Sequence, residues 1–273
     1  MADALFRIQD LHLALPDLSR KPLLGRAPLV HILKGLSFEL PQGAITGIVG
    51  ESGSGKTTLG RILVRLLTPS SGHIFFKGQD ISRLDETALQ PLRRDLQMIF
   101  QDPMSSLNPR HTVGYIVSTP LKRYGLGNAN NRAMEMLERV GLPAAFAARY
   151  PHELSGGQRQ RVGIARAIAL SPDFILADEI VSGLDVSSQA RVLTLLKDLA
   201  ADMNLTIAFI SHDLSVIRSL CDTVIVLDRG VIAEAGPCEQ VFEAPQSAIT
   251  RQLIDAIPLP EVDDSWFDDV SEA

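Results

Sequence analysis

Residues Gly50 to Thr57 read GESGSGKT and match the pattern G-x-x-x-x-G-K-[ST]. The glycines Gly50, Gly53 and Gly55 let the backbone curl until successive N–H groups point into one hollow, a cradle for an anion. Lys56 adds a full positive charge for the outer phosphates of a nucleoside triphosphate. The Thr57 hydroxyl suits Mg²⁺, and a helix beginning near Lys56 would aim its positive end at the same spot. Ser52 and Thr58 border the hollow and complete the expected phosphate-binding set. A glycine-rich turn with an incidental lysine is the plain alternative, and the apolar strand before it and helix after it weigh against that.

Three further places carry matching chemistry. Asp178 and Glu179 close the apolar run FILADE. Ligands of parallel sheets collect at the carboxyl ends of strands, so Asp178 could hold Mg²⁺ through water, and Glu179 could orient or deprotonate the water that attacks a γ-phosphate. The alternative is two acids capping the next helix. His212 ends the run LTIAFISH, where a γ-phosphate contact competes with simple exposure beside a helix capped by Ser211 or Asp213. Gln101 follows QMIF; its amide could reach Mg²⁺ or water, or could merely open the Asp-Pro turn.

The stretch HELSGGQRQRVGIARA, His152 to Ala167, sets Ser155, Gly156 and Gly157 ahead of an arginine-rich helix, with Gln158 next. Free N–H groups there face an anion. The stretch stands far along the chain from Lys56, beyond a helical insertion, so a second grip within one cleft is not the expected geometry.

The elements that must position these groups alternate. AITGIVG, DFILADE and LTIAFISHD read as buried strands. Helical spacing covers Thr57–Leu67, Asn131–Leu142, Arg159–Leu170, Ser188–Ala200 and a segment from Leu214. Continuous apolar strands alternating with helices predict an α/β fold with a parallel sheet covered on both faces. Hairpin signals near Phe75 and Val231, with turns at Lys77-Gly78 and Asp228-Arg229-Gly230, suggest an attached antiparallel piece. The largely helical stretch 103–170 interrupts the alternation as a candidate subdomain. The end, PLPEVDDSWFDDVSEA at 258–273, is acidic and is expected to be a mobile tail, with 1–257 as the folded domain.

Composition excludes several classes. Hydrophobic residues are 45% and charged residues 21% of the chain, the balance of a soluble globular protein, and no apolar run approaches the roughly 18 residues that span a bilayer. The net charge of −6 argues against nucleic acid as a partner. Cys221 and Cys238 are too few for a disulfide framework or a cysteine-ligated cluster. Met1–Arg7 has no extended apolar core and does not read as a secretory signal.

Taken in order, the phosphate loop, Gln101, LSGGQ, LADE, SGLD and His212 resemble the ATP-binding-cassette ATPases, over about Phe6 to Pro258. FQDPMSSLNPR, YPHELSGGQRQR, LDVSSQARVL and FISHDLSVI are most similar to the ATPase subunits of dipeptide, oligopeptide and nickel importers. The resemblance implies a P-loop NTPase (RecA-like) core with an antiparallel β piece and a helical subdomain, and ATP with Mg²⁺ as ligands. It implies head-to-tail pairing with a second cassette, identical or different, in which Ser155, Gly156 and Gly157 grip the partner's nucleotide. Asp185 of SGLD would then lie at the subunit boundary, Glu179 would be the base and His212 the γ-phosphate contact. Gln101 and the chain after it would dock transmembrane permease subunits, with an extracytoplasmic solute-binding protein acting indirectly. The expected location is peripheral, on the cytoplasmic face of the inner membrane.

Two departures from the family bear on the site. Ile180-Val181 follows Glu179 where a proline is usual, which is expected to loosen that turn. The aromatic that usually stacks adenine is absent: Leu15 takes its place, with His31 as a second candidate. A soluble cassette ATPase of translation or DNA maintenance is the competing class. Its members usually fuse two cassettes or carry coiled coils or zinc cysteines, which this chain lacks. A small-molecule kinase would leave LSGGQ and His212 without a task.

Overall fold

The computed structural model describes residues 4–17, 20, 25 and 27–257. The acidic stretch 258–273 lies outside the described residues.

The chain opens with two long strands, β1 (Ala4–Pro16) and β2 (Leu29–Pro41), followed by the short buried β3 (Ile45–Val49) and helix α1 (Lys56–Leu63). A hairpin, β4 (Ser71–Phe76) and β5 (Gln79–Asp80), precedes α2 (Glu86–Leu89) and β6 (Leu96–Ile99). Four helices then run in succession: α3 (Pro103–Ser106), α4 (Val113–Arg123), α5 (Ala129–Arg139) and α6 (Gly156–Ile168). The alternation resumes with β7 (Phe174–Asp178), α7 (Val186–Met203), β8 (Thr206–Ile210), α8 (Leu214–Leu220) and β9 (Thr223–Asp228). It closes with β10 (Val231–Pro237), α9 (Cys238–Glu243) and α10 (Ala248–Asp255).

The main sheet has the order β10-β9-β3-β8-β7-β6, parallel except for β10. Its central strands are buried on both faces because apolar residues occupy both phases of the pleat. Leu176, Ala208 and Ile210 join α1 on one face. Ile175, Ala177, Ile207 and Phe209 join the residues of α6, α7 and α8 on the other. Gly60 lets α1 close on the sheet, since a Cβ there would lie 2.8 Å from Leu176 and 2.9 Å from Ile210.

A second, antiparallel sheet has the order β2-β1-β4-β5. Phe6 ties it to the main sheet, its ring 4.9 Å from Phe76 and 4.7 Å from Phe174. The hairpin near Phe75 belongs to this sheet as expected. The hairpin around Gly230 does not: β9 and β10 extend the edge of the main sheet, and the hairpin touches the smaller one through its turn, where Lys34 N–H donates to Gly230 O at 2.8 Å, and through Ile232 of β10. β9 pairs with β3 in parallel because its buried residues alternate between both apolar faces.

The 103–170 stretch is helical, but its interior is not separate. Val117, Leu121 and Leu137 share one apolar cluster with Ile175 and Phe209, bridged by α6. Helix α1 stops at Leu63, short of the expected Leu67, because Arg65 turns left-handed at φ 53°. The pair β1–β2 and the terminal α9–α10 carry weaker periodicity and were not anticipated.

Candidate functional site

The carboxyl ends of β3, β6, β7 and β8 gather the expected chemistry. After β3, Gly50, Gly53 and Gly55 take φ of 145°, 80° and 107°, a region open to glycine and costly for other residues. A Cβ on Gly50 would meet Leu227 O at 2.1 Å, whereas one on Gly53 would meet nothing, so the loop is tight at its root and open at its mouth. Ser54 O accepts from Gly230 N–H at 3.1 Å, which anchors the loop to the β9–β10 turn, and the buried Ser54 Oγ has no partner among the described residues.

Lys56 curls back over the hollow, its Nζ donating to Gly50 O at 2.8 Å and Glu51 O at 2.9 Å. Burial pulls its pKa down, opposed by the nearby Glu179 and Asp178 charges. Thr57 Oγ1 donates to Asp178 Oδ1 at 3.4 Å. Burial, and then the Glu179 charge, raise the Asp178 pKa above the usual carboxylate range. A site that disfavours its own negative charge is one that a cation would stabilise, and the donors of Thr57, Gln101 and Asp178 are oxygens, the set Mg²⁺ prefers.

Glu179 is the meeting point. Gln101 Nε2 donates to its Oε2 at 2.8 Å, and His212 Nδ1 lies 3.6 Å from its Oε1. Thus Lys56, Thr57, Gln101, Asp178, Glu179 and His212 form one cluster drawn from four strand ends. Ser52 is exposed at the loop mouth and Thr58 half-buried in the first turn of α1.

Ser155, Gly156, Gly157 and Gln158 are elsewhere. Ser155 caps α6 in a reciprocal box: Gln158 N–H donates to Ser155 Oγ at 3.3 Å, and Ser155 N–H donates to Gln158 Oε1 at 2.9 Å. Both glycines belong to the first helical turn rather than preceding it. Their neighbours are the start of α7: a Cβ on Gly157 would lie 3.1 Å from Ser188 Oγ, and one on Gly156 3.4 Å from Leu184. Asp185 is exposed and caps α7, accepting from Ser188 N–H at 2.9 Å and Ser187 Oγ at 2.7 Å, which drives its pKa far down.

At the expected base site, Leu15 is 37% exposed and pairs across the sheet with Val30, 48% exposed. Nearby on β2, Leu33 approaches the phosphate loop, 2.9 Å from a Cβ on Gly55. His31 is exposed beside Val30.

Sequence reasoning missed a groove of about 1090 Å³ between the end of α1, β6 and α4, lined by Phe100, Tyr115, Tyr124, Arg123 and Arg166 among others. His111 stacks on Tyr115 at 4.3 Å. Nothing local signals this groove, because its walls come from segments distant in sequence. No helix among the described residues is long and apolar enough to cross a membrane.

Residues 33–182 match the family model described as ABC transporter. A putative peptide import ATP-binding protein of Brucella ovis is 49% identical over 241 residues, 87% of this chain and 76% of that protein. The glutathione import ATP-binding protein GsiA of Salmonella typhi is 51% identical over 235 residues, 85% of this chain and 38% of its own length. Among solved structures, the ATP-binding cassette MJ0796, a dimer in a post-hydrolysis state bound to ADP and Pi, aligns with a TM-score of 0.73 at 29% identity, covering 85% of this chain and 98% of that one. CbiO1 of Clostridium perfringens, part of the ABC transporter complex cbiONQ, aligns with a TM-score of 0.75 at 27% identity, covering 89% and 92%. With its phosphate loop, its strand-end acids and its separate signature helix, the chain belongs to the ABC transporter family, as an ATP-binding and ATP-hydrolysing importer subunit.

Proposed function

We propose that two cassettes close head to tail on two ATP molecules and that this closure powers uptake of a peptide or a related small solute. Nickel is a further candidate cargo from the sequence resemblance. The observation that carries the reading is the division of the chain into two incomplete halves: a phosphate hollow around Lys56, and an anion-facing helix end at Ser155–Gly157 that packs on its own α7 instead. Two-fold pairing makes two equivalent composite sites from such halves, and the dimeric state of the related MJ0796 supports it.

In each site the loop Gly50–Gly55, with Ser52, Thr57 and Thr58, cradles the phosphates, and Lys56 leaves its own loop carbonyls for the outer ones. Mg²⁺, held by Thr57, Asp178 and Gln101, would neutralise phosphate charge. Glu179 takes the proton of the attacking water, and His212 contacts the γ-phosphate. Gln101, which bonds Glu179 in the free chain, links the base to the neighbouring groove. The partner's signature supplies the Gly156 and Gly157 N–H groups, with Ser155 and Gln158 shaping the helix end, and Asp185 couples the two sites at the boundary.

The groove bordered by Phe100 and Tyr115 is suited to a permease element, and a chain docked there would sit peripherally on the cytoplasmic face of the membrane. A solute-binding protein outside contributes cargo only indirectly.

Glu179→Gln tests the reading. ATP binding should persist while turnover falls by at least two orders of magnitude, checked by equilibrium binding beside phosphate release. Unchanged turnover removes Glu179 as the base.

A further inference from the structure

We propose that a polar cavity beside Glu179 stores the water consumed in hydrolysis, and that Gln189 is the positioning residue that holds it; this rests on the proposed role of Glu179. The cavity has a volume of about 150 Å³ and is lined by Glu179, Ser182, Gly183, Gln189, Ser211 and His212, with Val181 and Asp213 at its edge. That is room for more than one water. No phosphate-loop residue lines it, so Glu179 is the wall between this space and the phosphate hollow.

Most polar groups around it are already engaged. Ser211 Oγ accepts from Asp213 N–H at 3.0 Å, and Asp213 Oδ1 accepts from Ser215 N–H at 2.9 Å and Val216 N–H at 3.3 Å. Gln189 differs. Its backbone N–H donates to Asp185 O at 2.8 Å within α7, but its side-chain amide has no hydrogen-bond partner among the described residues. A primary amide offers two donors and an acceptor, which water satisfies when protein does not.

Charge decides between water and released phosphate as the occupant. The carboxylates of Glu179 and Asp213 border the cavity and no lysine or arginine does, so a phosphate dianion is repelled while water is not. Gly183, at φ 76° with open space where a Cβ would stand, keeps the mouth open to solvent in the free chain, so water fills the cavity before the pair closes. When the pair closes, nucleotide and partner seal the hollow from bulk solvent, and an internal source becomes necessary. One stored water then forms the new bond to the γ-phosphorus as the bridging P–O bond breaks. The electron pair leaves with ADP, and the proton passes to Glu179 and on to solvent.

The test compares Gln189→Leu, which keeps bulk and loses the amide, with Gln189→Asn, which keeps a neutral water-binding amide. The Leu variant should lose roughly tenfold in kcat, the effect of one hydrogen bond, with KM for ATP and the melting temperature unchanged. The Asn variant should keep most of the wild-type rate. A high-resolution crystal structure of the nucleotide-bound protein should show ordered waters between Gln189 and Glu179, absent in the Leu variant. A wild-type rate for Gln189→Leu, equal impairment of both variants, or a dry cavity in the wild type each overturns the store. Glu179→Gln, assayed in parallel, keeps the two readings apart. Turnover in that variant rejects the base and leaves the waters and the Gln189 rates to judge the store, whereas its inactivity beside a normal Gln189→Leu rejects the store alone.

Discussion

Glu179 sits at φ 49°, a left-handed position that costs a non-glycine residue roughly 1–2 kcal/mol. The turn lacks the proline usual in the family, and the surroundings hold it instead. Glu179 N–H donates to Ile210 O at 2.9 Å, Ser182 N–H donates to Glu179 O at 3.1 Å, and Ile180 and Val181 are buried. The expected loosening therefore has packing and hydrogen bonds against it. Leu15 is the other residue where the chain departs from the family pattern. An aliphatic side chain offers a nucleobase contact area but no stacking face. Leu15→Tyr should tighten ATP binding by about 1–3 kcal/mol, roughly five- to 150-fold in Kd. Titration with a fluorescent ATP analogue measures this, and unchanged affinity would mean that the base lies away from the end of β1.

Helix α1 carries the phosphate loop on its first turn, so its far end must also be secured. Arg65, buried beyond the last turn, does this by donating to Ile81 O at 2.7 Å and to Leu67 O and Leu84 O at 3.0 Å. Arg93 adds bonds to Val64 O and Arg65 O. Arg65→Met keeps the stem and strands those carbonyls, which should cost about 3 kcal/mol in urea unfolding. A loss below about 1 kcal/mol would mean that water replaces the guanidinium. The same scale explains the signature helix. Serine at the cap, glycines in the first turn and glutamine at the third position form a box that was legible as a helix start, but its exact first turn depended on packing against Leu184 and Ser188.

The whole molecule joins a nucleotide site to a groove. Gln101 bonds Glu179 on one side, and Phe100, adjacent in sequence, opens onto the groove on the other. A permease element pressing on the groove would therefore act within one residue of Gln101, the hydrogen-bond partner of Glu179. Tyr115→Asp replaces the ring that stacks on His111 with a small carboxylate and touches nothing near Lys56. The isolated chain should keep its basal ATPase rate, while stimulation by permease in proteoliposomes should fall at least tenfold. Stimulation at the wild-type level would move the docking surface elsewhere.

The sequence by itself determined the α/β class, the phosphate loop and the identity of each strand-end residue, because these follow from short-range chemistry: glycine conformations, apolar runs and the polar residues that end them. Only the tertiary structure decided which of them meet. Bringing Gln101 to Glu179 at 2.8 Å requires β6 beside β7, a pairing of strands separated by the whole helical stretch. The hairpin at Gly230, read as part of an antiparallel piece, instead adds β10 to the edge of the main sheet, because β9 pairs with β3 on one side and leaves its other edge to be hydrogen-bonded. Likewise the cavity at Gln189 and the groove at Tyr115 have no local signature. Each is a space between elements, and a space is set by how surfaces pack, which no run of neighbouring residues encodes.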